Sequence, residues 1–388
     1  MKNTYLVLAA AYLSFIALGF FDGAFAVAWP VIRYDMNLRL DQAGLIIIIN
    51  SVFYTLSSSQ VGRFSRSLRP ETVNVLGILA IMLGLLGLSA APGLAPLVLA
   101  GGVAGIGMGM VDFSLNLYIA KHFSSRYMNW LHCCWSIGAT FSPIVMFQMV
   151  LIASWRAGYV ALASIQGIIA AFVVLSLIRG VWSSRERVHI QRPEAEDDKR
   201  FLTHPRFQYL HIAIFFLYMG ADYSVGFWTA SVLLESRGLG IDAAGAYPAV
   251  YFASIMLGRI TSGYLAKRLS NIAMIRAGFL LAVAGLAILT ISNTLMGMAL
   301  IGLGFAPVYP CLMHETSRRF CPDILTKLVG YQVAAAALGV AILGPAMGLT
   351  LSRFSSEALF PLAAVMVVLV FVFNEIVDSG YRKAPMLG

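Results

Sequence analysis

Charged residues are scarce in this chain. Asp, Glu, Lys and Arg make up 12% of it, against about 25% in an ordinary soluble domain. That deficit excludes a water-soluble globular protein of 388 residues. Cysteine occurs four times, as Cys133, Cys134, Cys311 and Cys321. No pair has zinc-ligand spacing, so free thiols are expected. No His-x-x-x-His, Ser-His-Asp or Cys-His grouping falls within an apolar segment. A nucleophile, base and orienter, or a metal cluster at one depth, is therefore missing, which argues against an enzyme and leaves no cofactor to expect. Also lacking are the short segments of alternating polarity that a membrane β-barrel requires.

The chain has hydrophobic sequence instead, 59% of its residues. It recurs in runs of about 20 residues or more, each enough to cross ~30 Å of hydrocarbon. The reading is an all-α polytopic membrane protein with the lipid bilayer as its solvent. Twelve segments are expected at 5–33, 43–61, 72–91, 95–120, 130–153, 156–179, 208–234, 244–265, 273–292, 294–317, 328–350 and 357–378. Lys2, the following apolar run and Ala24-Phe25-Ala26 resemble a signal peptide, but the run is long for one and the internal repeat below requires it as the first span. One long hydrophilic stretch, residues 182–206, carries charges of both signs without apolar period and reads as a solvated linker. It gives an N-terminal bundle over residues 1–181 and a C-terminal bundle over 207–388, six spans each.

Basic residues set the orientation. One family of loops carries 21 Lys and Arg and the other 5, with Arg259 inside a span. The positive-inside rule puts both termini and the linker in the cytoplasm. The net charge of +9 then reflects loop placement and does not call for nucleic acid. The expected location is the inner membrane of a bacterium.

The halves repeat at an offset near 200. Asp22 answers Asp222, Trp29 answers Trp228, and Gly62-Arg63 answers Gly263 and its basic loop. Gly138 and Pro143 answer Gly339 and Pro345. Unrelated spans would not hold that register. A duplicated six-span unit with a central cytoplasmic loop resembles the major facilitator superfamily, whose halves are parallel repeats about an axis along the membrane normal. The resemblance implies alternating access by a monomer. The superfamily's loop motif after span two has an Asp where this chain has Arg66, and Lys267 in the second half, so the contact attributed to that Asp is missing or rewired. Asn129-Trp130-Leu131-His132 followed by Gly138-Ala139 and Pro143 resembles the fucose–proton symporter branch. That branch uses acids in spans one and four, which correspond to Asp22 and Asp112.

Three carboxylates lie deep in apolar sequence. Asp22 is the one charge between Lys2 and Arg33. Asp222 stands about 23 Å from each charged flank and Asp112 about 13 Å from Lys121, at 1.5 Å per helical residue. A charge at the bilayer centre costs roughly 2.5–3.5 kcal/mol on insertion scales, so such residues face a cavity or a partner. A carboxyl group out of water favours its neutral form, which is what a proton-coupled carrier needs. Asp22, Asp112 and Asp222 are the proton-coupling candidates; the bland alternative for each is a structural hydrogen bond to a neighbouring helix. Asn116 lies one turn from Asp112 on the same face, and the pair could hold solute hydroxyls. Trp29, Tyr223, Trp228, Tyr309 and Tyr331 offer faces for a sugar ring, and Gln332 is the polar candidate of span eleven. His132 reads as an interfacial hydrogen-bonding residue. Pro307 and Pro310 should kink span ten. The expected function is proton-coupled transport of a small polar solute, a sugar being one candidate. The competing reading is an efflux antiporter for drugs or amphiphiles, but the Gly-Pro-x-x-Gly-Gly pattern of such carriers is missing from span five.

Overall fold

A computed structural model describes residues 2–64, 69–123, 125–182, 201–202, 204–266 and 268–384. The described chain is all helical. Its elements are α1 (Lys2–Leu18), α2 (Phe20–Asp35), α3 (Ala43–Phe64), α4 (Pro70–Ala90), α5 (Leu94–His122), α6 (Ser125–Ile152), α7 (Trp155–Ile178), α8 (Pro205–Glu235), α9 (Ile241–Leu265), α10 (Asn271–Ile291), α11 (Leu295–Phe305), α12 (Val308–Arg319), α13 (Pro322–Arg353) and α14 (Leu359–Arg382). Among the described residues, 11 helical segments are long and apolar enough to cross a membrane, with α1–α2 and α11–α12 each counting as one. The expected segment 244–265 forms α9 but is not among the 11; Asp242, Arg259 and its tyrosines make it more polar than the rest. Large aliphatic side chains on outer faces are open, Leu99, Ile168, Leu280 and Ile291 among them. Such a surface suits hydrocarbon, where each helix satisfies its own backbone.

The chain forms two compact units. One holds α1–α7 with the first half of α9, and the other holds α8, the second half of α9 and α10–α14. In the first unit α6 lies on α1 and α2, α5 packs between α3 and α4, and α7 lies on α4 and α1. In the second, α13 lies on α8, α10 packs on α11 and α12, and α14 lies on α10 and α8. The pairing order is therefore repeated within each unit.

Hydrophobicity does not drive helix association in lipid, so close packing and polar contacts must. Small residues supply the first. Gly138 of α6 sits directly on the Ile16 carbonyl, and Gly339 of α13 sits in the same way on the Phe216 carbonyl. Gly77 of α4 rests on Gly107 of α5, as Gly278 of α10 rests on Gly304 of α11. Interhelical hydrogen bonds supply the second. Asn74 donates to Ser14 (3.1 Å), Asn50 to the Gly101 carbonyl (3.0 Å) and Gln166 to the Ile78 carbonyl (3.2 Å). Arg156 at the start of α7 donates to the Ser89 and Ala91 carbonyls that end α4 (3.0 and 2.8 Å), groups a helix terminus leaves unpaired.

Two long segments are broken. The first parts at Gly19, which α6 crosses so closely that a Cβ there would meet the Trp135 carbonyl. The other parts at Ala306-Pro307, where the proline cannot donate to the ladder. Pro310 falls in the first turn of α12, where its missing N–H is harmless.

A charged cluster holds α10, α12 and α14 together. Arg319 is fully buried, with Glu315 at 3.4 Å, Asp378 at 3.5 Å and the Asn374 side-chain oxygen at 3.0 Å. Arg276 binds Glu375 through two donors at 2.8 and 2.6 Å, and Arg382 donates to Asp378. Pairing of this kind is what makes a buried guanidinium tolerable.

Candidate solute and proton site

In the first unit the acids of spans one and four are both half-buried and both held by side chains from other helices. Asp22 opens the first turn of α2, just past the break at Gly19. Its carboxylate hydrogen-bonds the side chain of Trp135 on α6. An indole N–H can only donate, so Asp22 is the acceptor.

Asp112 lies in the second half of α5. The Tyr54 hydroxyl of α3 donates to Oδ2 at 2.8 Å. The Asn116 amide donates to Oδ1 at 2.9 Å and to the Asp112 backbone carbonyl at 2.8 Å. Both amide protons of Asn116 are then in use, and its Oδ1 is what it has left to offer a ligand. His132 of α6 is close enough to Asp112 to interact electrostatically, and Phe15 packs edge-on against its ring at 5.5 Å. Trp135 and His132 are three residues apart on one helix, hence on one face. A single stripe of α6 therefore serves both acids. His132 thus lies within electrostatic reach of Asp112.

In the second unit Asp222 is half-buried on α8. Tyr218, one turn earlier, donates to the Phe305 carbonyl at 2.9 Å, at the break between α11 and α12. Asp222, Arg259 and Tyr309 all lie within electrostatic reach of that phenol. Asp222 and Arg259 thus share Tyr218 as a neighbour. Tyr309 packs edge-on against Phe215 at 5.4 Å, and Tyr223 stacks on Phe227 at 5.7 Å.

The other expected binding residues have separate places. Trp29 is fully buried and donates to the Leu40 carbonyl at 3.1 Å. Trp228 is fully buried and donates to the Gly344 carbonyl at 2.9 Å. Gln332 is fully buried with its amide shared between His211 (2.9 Å) and Thr316 (3.2 Å). Tyr331 is 61% exposed. The four cysteines are free thiols. Among the described residues no group of three or more His, Cys, Asp or Glu could hold a metal ion. Lys267 and Arg66, the residues of the altered loop motif, lie outside the described residues. The side chain of Asn129 is likewise outside them. Sequence reasoning missed Tyr54 and gave Trp135 no role. Neither has a local signature, since each is defined by what packs opposite.

Comparison with known proteins agrees with this architecture. An uncharacterized transporter, y4wD, of Sinorhizobium fredii is 23% identical over 383 residues, covering 94% of this chain and 96% of the relative. The solved D-xylose-proton symporter superposes with a TM-score of 0.76 at 12% identity, over 99% of this chain and 98% of that one. A bacterial homolog of the human lysosomal transporter Spinster, inward-facing and occupied, superposes with a TM-score of 0.70 at 15% identity, over 98% and 97%. At such identities the structural likeness shows the fold alone. The sequence profile of the Major Facilitator Superfamily matches residues 11–323. This chain belongs to the major facilitator superfamily and is an integral membrane transporter, not an enzyme.

Proposed function

We propose that the protein is a proton-coupled secondary transporter of a small polar solute, working by alternating access between two bundles of six spans. The twelfth span in this reading is α9, whose polar residues include Arg259, within electrostatic reach of Tyr218 as Asp222 is. The observation that carries it is the pair of membrane-depth acids on one unit, Asp22 on the donor-only Trp135 and Asp112 in its Tyr54–Asn116 cage. A structural hydrogen bond would need one acid, whereas coupling needs one group to exchange a proton and another to feel the solute. Asp22 is the proton carrier, being surrounded by apolar and aromatic side chains such as Phe21 and Phe25. Asp112 and Asn116 hold a solute hydroxyl or amine, with Asp222 as the corresponding acid of the second unit. An ionised carboxylate facing a closed, dry cavity is costly, so the transition between states requires Asp22 to be neutralised.

Sugars fit the polar and aromatic mixture of Tyr223, Tyr309 and Tyr331. The Asn-x-Leu-His pattern supports kinship with the fucose–proton branch. An even span number with the basic loop residues inside puts both termini in the bacterial cytoplasm. The test is transport in proteoliposomes under an imposed proton gradient. Asp22→Asn should abolish uphill accumulation and leave counterflow, which moves no net proton. Uphill transport by that variant at the wild-type rate would sink the assignment. Solute leaving vesicles in exchange for protons would select the efflux reading instead.

A further inference from the structure

The second unit carries an open groove of about 540 Å³ between the start of α8 and the end of α14. Its wall on α14 is one helical stripe, with Val372, Ile376, Gly380 and Lys383 at spacings of four, four and three. Val372 and Ile376 stand open at its outer face, 43% and 45% exposed. Phe207 of α8 forms the floor, pressed against Gly380 so closely that a Cβ at 380 would overlap its ring. Arg206 and Lys383 are exposed at the end where α8 begins and α14 finishes. Arg206 lies over the Phe207 ring at 4.6 Å. The acid within the groove, Glu375, is already matched by two donors of Arg276.

We propose that this groove binds an anionic phospholipid of the adjacent leaflet. The headgroup phosphate lies between Arg206 and Lys383, and an acyl chain runs along Phe207, Val372 and Ile376. The charge balance selects the occupant. An apolar trough opening onto hydrocarbon takes an acyl chain, and two cations at its polar end, with the nearby carboxylate neutralised, take a phosphate. Basic sites between membrane helices bind acidic headgroups by this combination. Zwitterionic lipid offers the same chain but brings its own cation to the rim.

The test uses the full chain purified in neutral detergent, with lipid retention measured by native mass spectrometry. The probes are phosphatidylglycerol, phosphatidylcholine and inorganic phosphate. Wild type should retain phosphatidylglycerol in preference to phosphatidylcholine. The double variant Arg206→Gln/Lys383→Gln should retain it about 30-fold less, roughly fivefold for each cation. Val372→Trp fills the trough and leaves both cations; it should also lose the lipid. Equal retention of the two lipids, or retention of phosphatidylglycerol unchanged in both variants, would overturn the proposal. So would inorganic phosphate competing at equal concentration, because the acyl chain would then contribute nothing. A groove claimed by the chain's own acids would bind lipid only after Glu194→Gln, Glu196→Gln, Asp197→Asn and Asp198→Asn are combined, and that result also refutes it for the native chain.

Discussion

The packing of α6 on α1 and of α13 on α8 can be tested with single methyl groups. At Gly138 an added Cβ overlaps the Ile16 carbonyl, and at Gly339 it overlaps the Phe216 carbonyl. Both obstacles are backbone, which cannot rotate aside as a side chain does. Alanine is favoured over glycine in a helix by about 1 kcal/mol. Overpacking costs about 1–3 kcal/mol, and a backbone clash belongs at the upper end. The net loss expected for Gly138→Ala or Gly339→Ala is therefore about 2 kcal/mol. For a cooperative unit near 200 residues, each kcal/mol shifts the midpoint by about 2–4 °C, so a fall of about 4–8 °C is expected. Gly330, also on α13, has nothing within 4 Å of the same position. Gly330→Ala should therefore keep the helix gain and melt about 2–4 °C above wild type. The assay is thermal unfolding in detergent at one fixed scan rate, since the unfolding of such a protein is commonly irreversible. If Gly138→Ala and Gly339→Ala melted at or above wild type, the close approach, and with it the structural meaning of the repeat, would be refuted.

Other substitutions discriminate between roles. Tyr54→Phe removes one donor from Asp112; hydrogen bonds to charged groups are worth about 1.5–3 kcal/mol, so solute affinity in counterflow should fall about 10- to 150-fold, and unchanged affinity would separate Asp112 from the solute. Trp135→Phe removes the donor to Asp22 and should alter uphill transport while leaving counterflow affinity within about threefold. Arg319→Gln removes the one buried cation that Glu315 and Asp378 share, leaving them only the partly exposed Arg318, Arg276 and Arg382, and should cost about 3–5 kcal/mol of stability. Arg318→Gln breaks the 3.7 Å pair of a partly exposed residue and its contact with the Tyr381 ring at 5.7 Å and should cost about 1 kcal/mol; matching melting losses for the two would contradict this reading of the cluster. A cysteine at Ser184, in a chain freed of its four native cysteines, should resist an impermeant thiol reagent in intact cells, and ready labelling there would reverse the orientation.

Much of the fold could be read from the sequence because membrane helices leave a direct record in hydropathy. The constant offset of Gly138 and Gly339 survives because each must let a neighbouring backbone approach. The break near Pro307 was legible from a missing donor. The break at Gly19 was not, because glycine is common in membrane helices and the cause is α6, more than 100 residues away. That Asp22, Asp112 and Asp222 fall within helices long and apolar enough to span a membrane was legible from the residues around them. Their partners were not, because helical period gives the face of a residue and never the helix opposite it. The aromatics expose the same limit. When every face of a helix is apolar, sequence does not distinguish Trp228, sealed against the Gly344 carbonyl, from a ring open to a cavity. Tyr331 and Gln332 are adjacent in sequence, yet one is open and the other enclosed.

The partners also differ in what they permit. Trp135 can only donate, so it offers Asp22 the same bond whether or not the other carboxylate oxygen carries a proton. The cage of Asp112 is not neutral in this way. Asn116 donates to Oδ1 through nitrogen, which cannot accept, so an added proton on Asp112 belongs on Oδ2. There the new O–H can donate to the Tyr54 oxygen, which turns that hydroxyl from donor to acceptor. A proton on Asp112 can therefore reorganise a bond to α3, whereas the Trp135 bond of Asp22 keeps its direction. In the proposed mechanism this assigns the freely exchanging proton to Asp22 and makes Asp112 the group whose state is read by its neighbours. Infrared difference spectra of carboxyl stretching on a pH step should then contain two bands. The band lost in Asp22→Asn should be insensitive to Tyr54→Phe, and the band lost in Asp112→Asn should shift with it. A Tyr54→Phe shift in the Asp22 band alone would reverse the two roles.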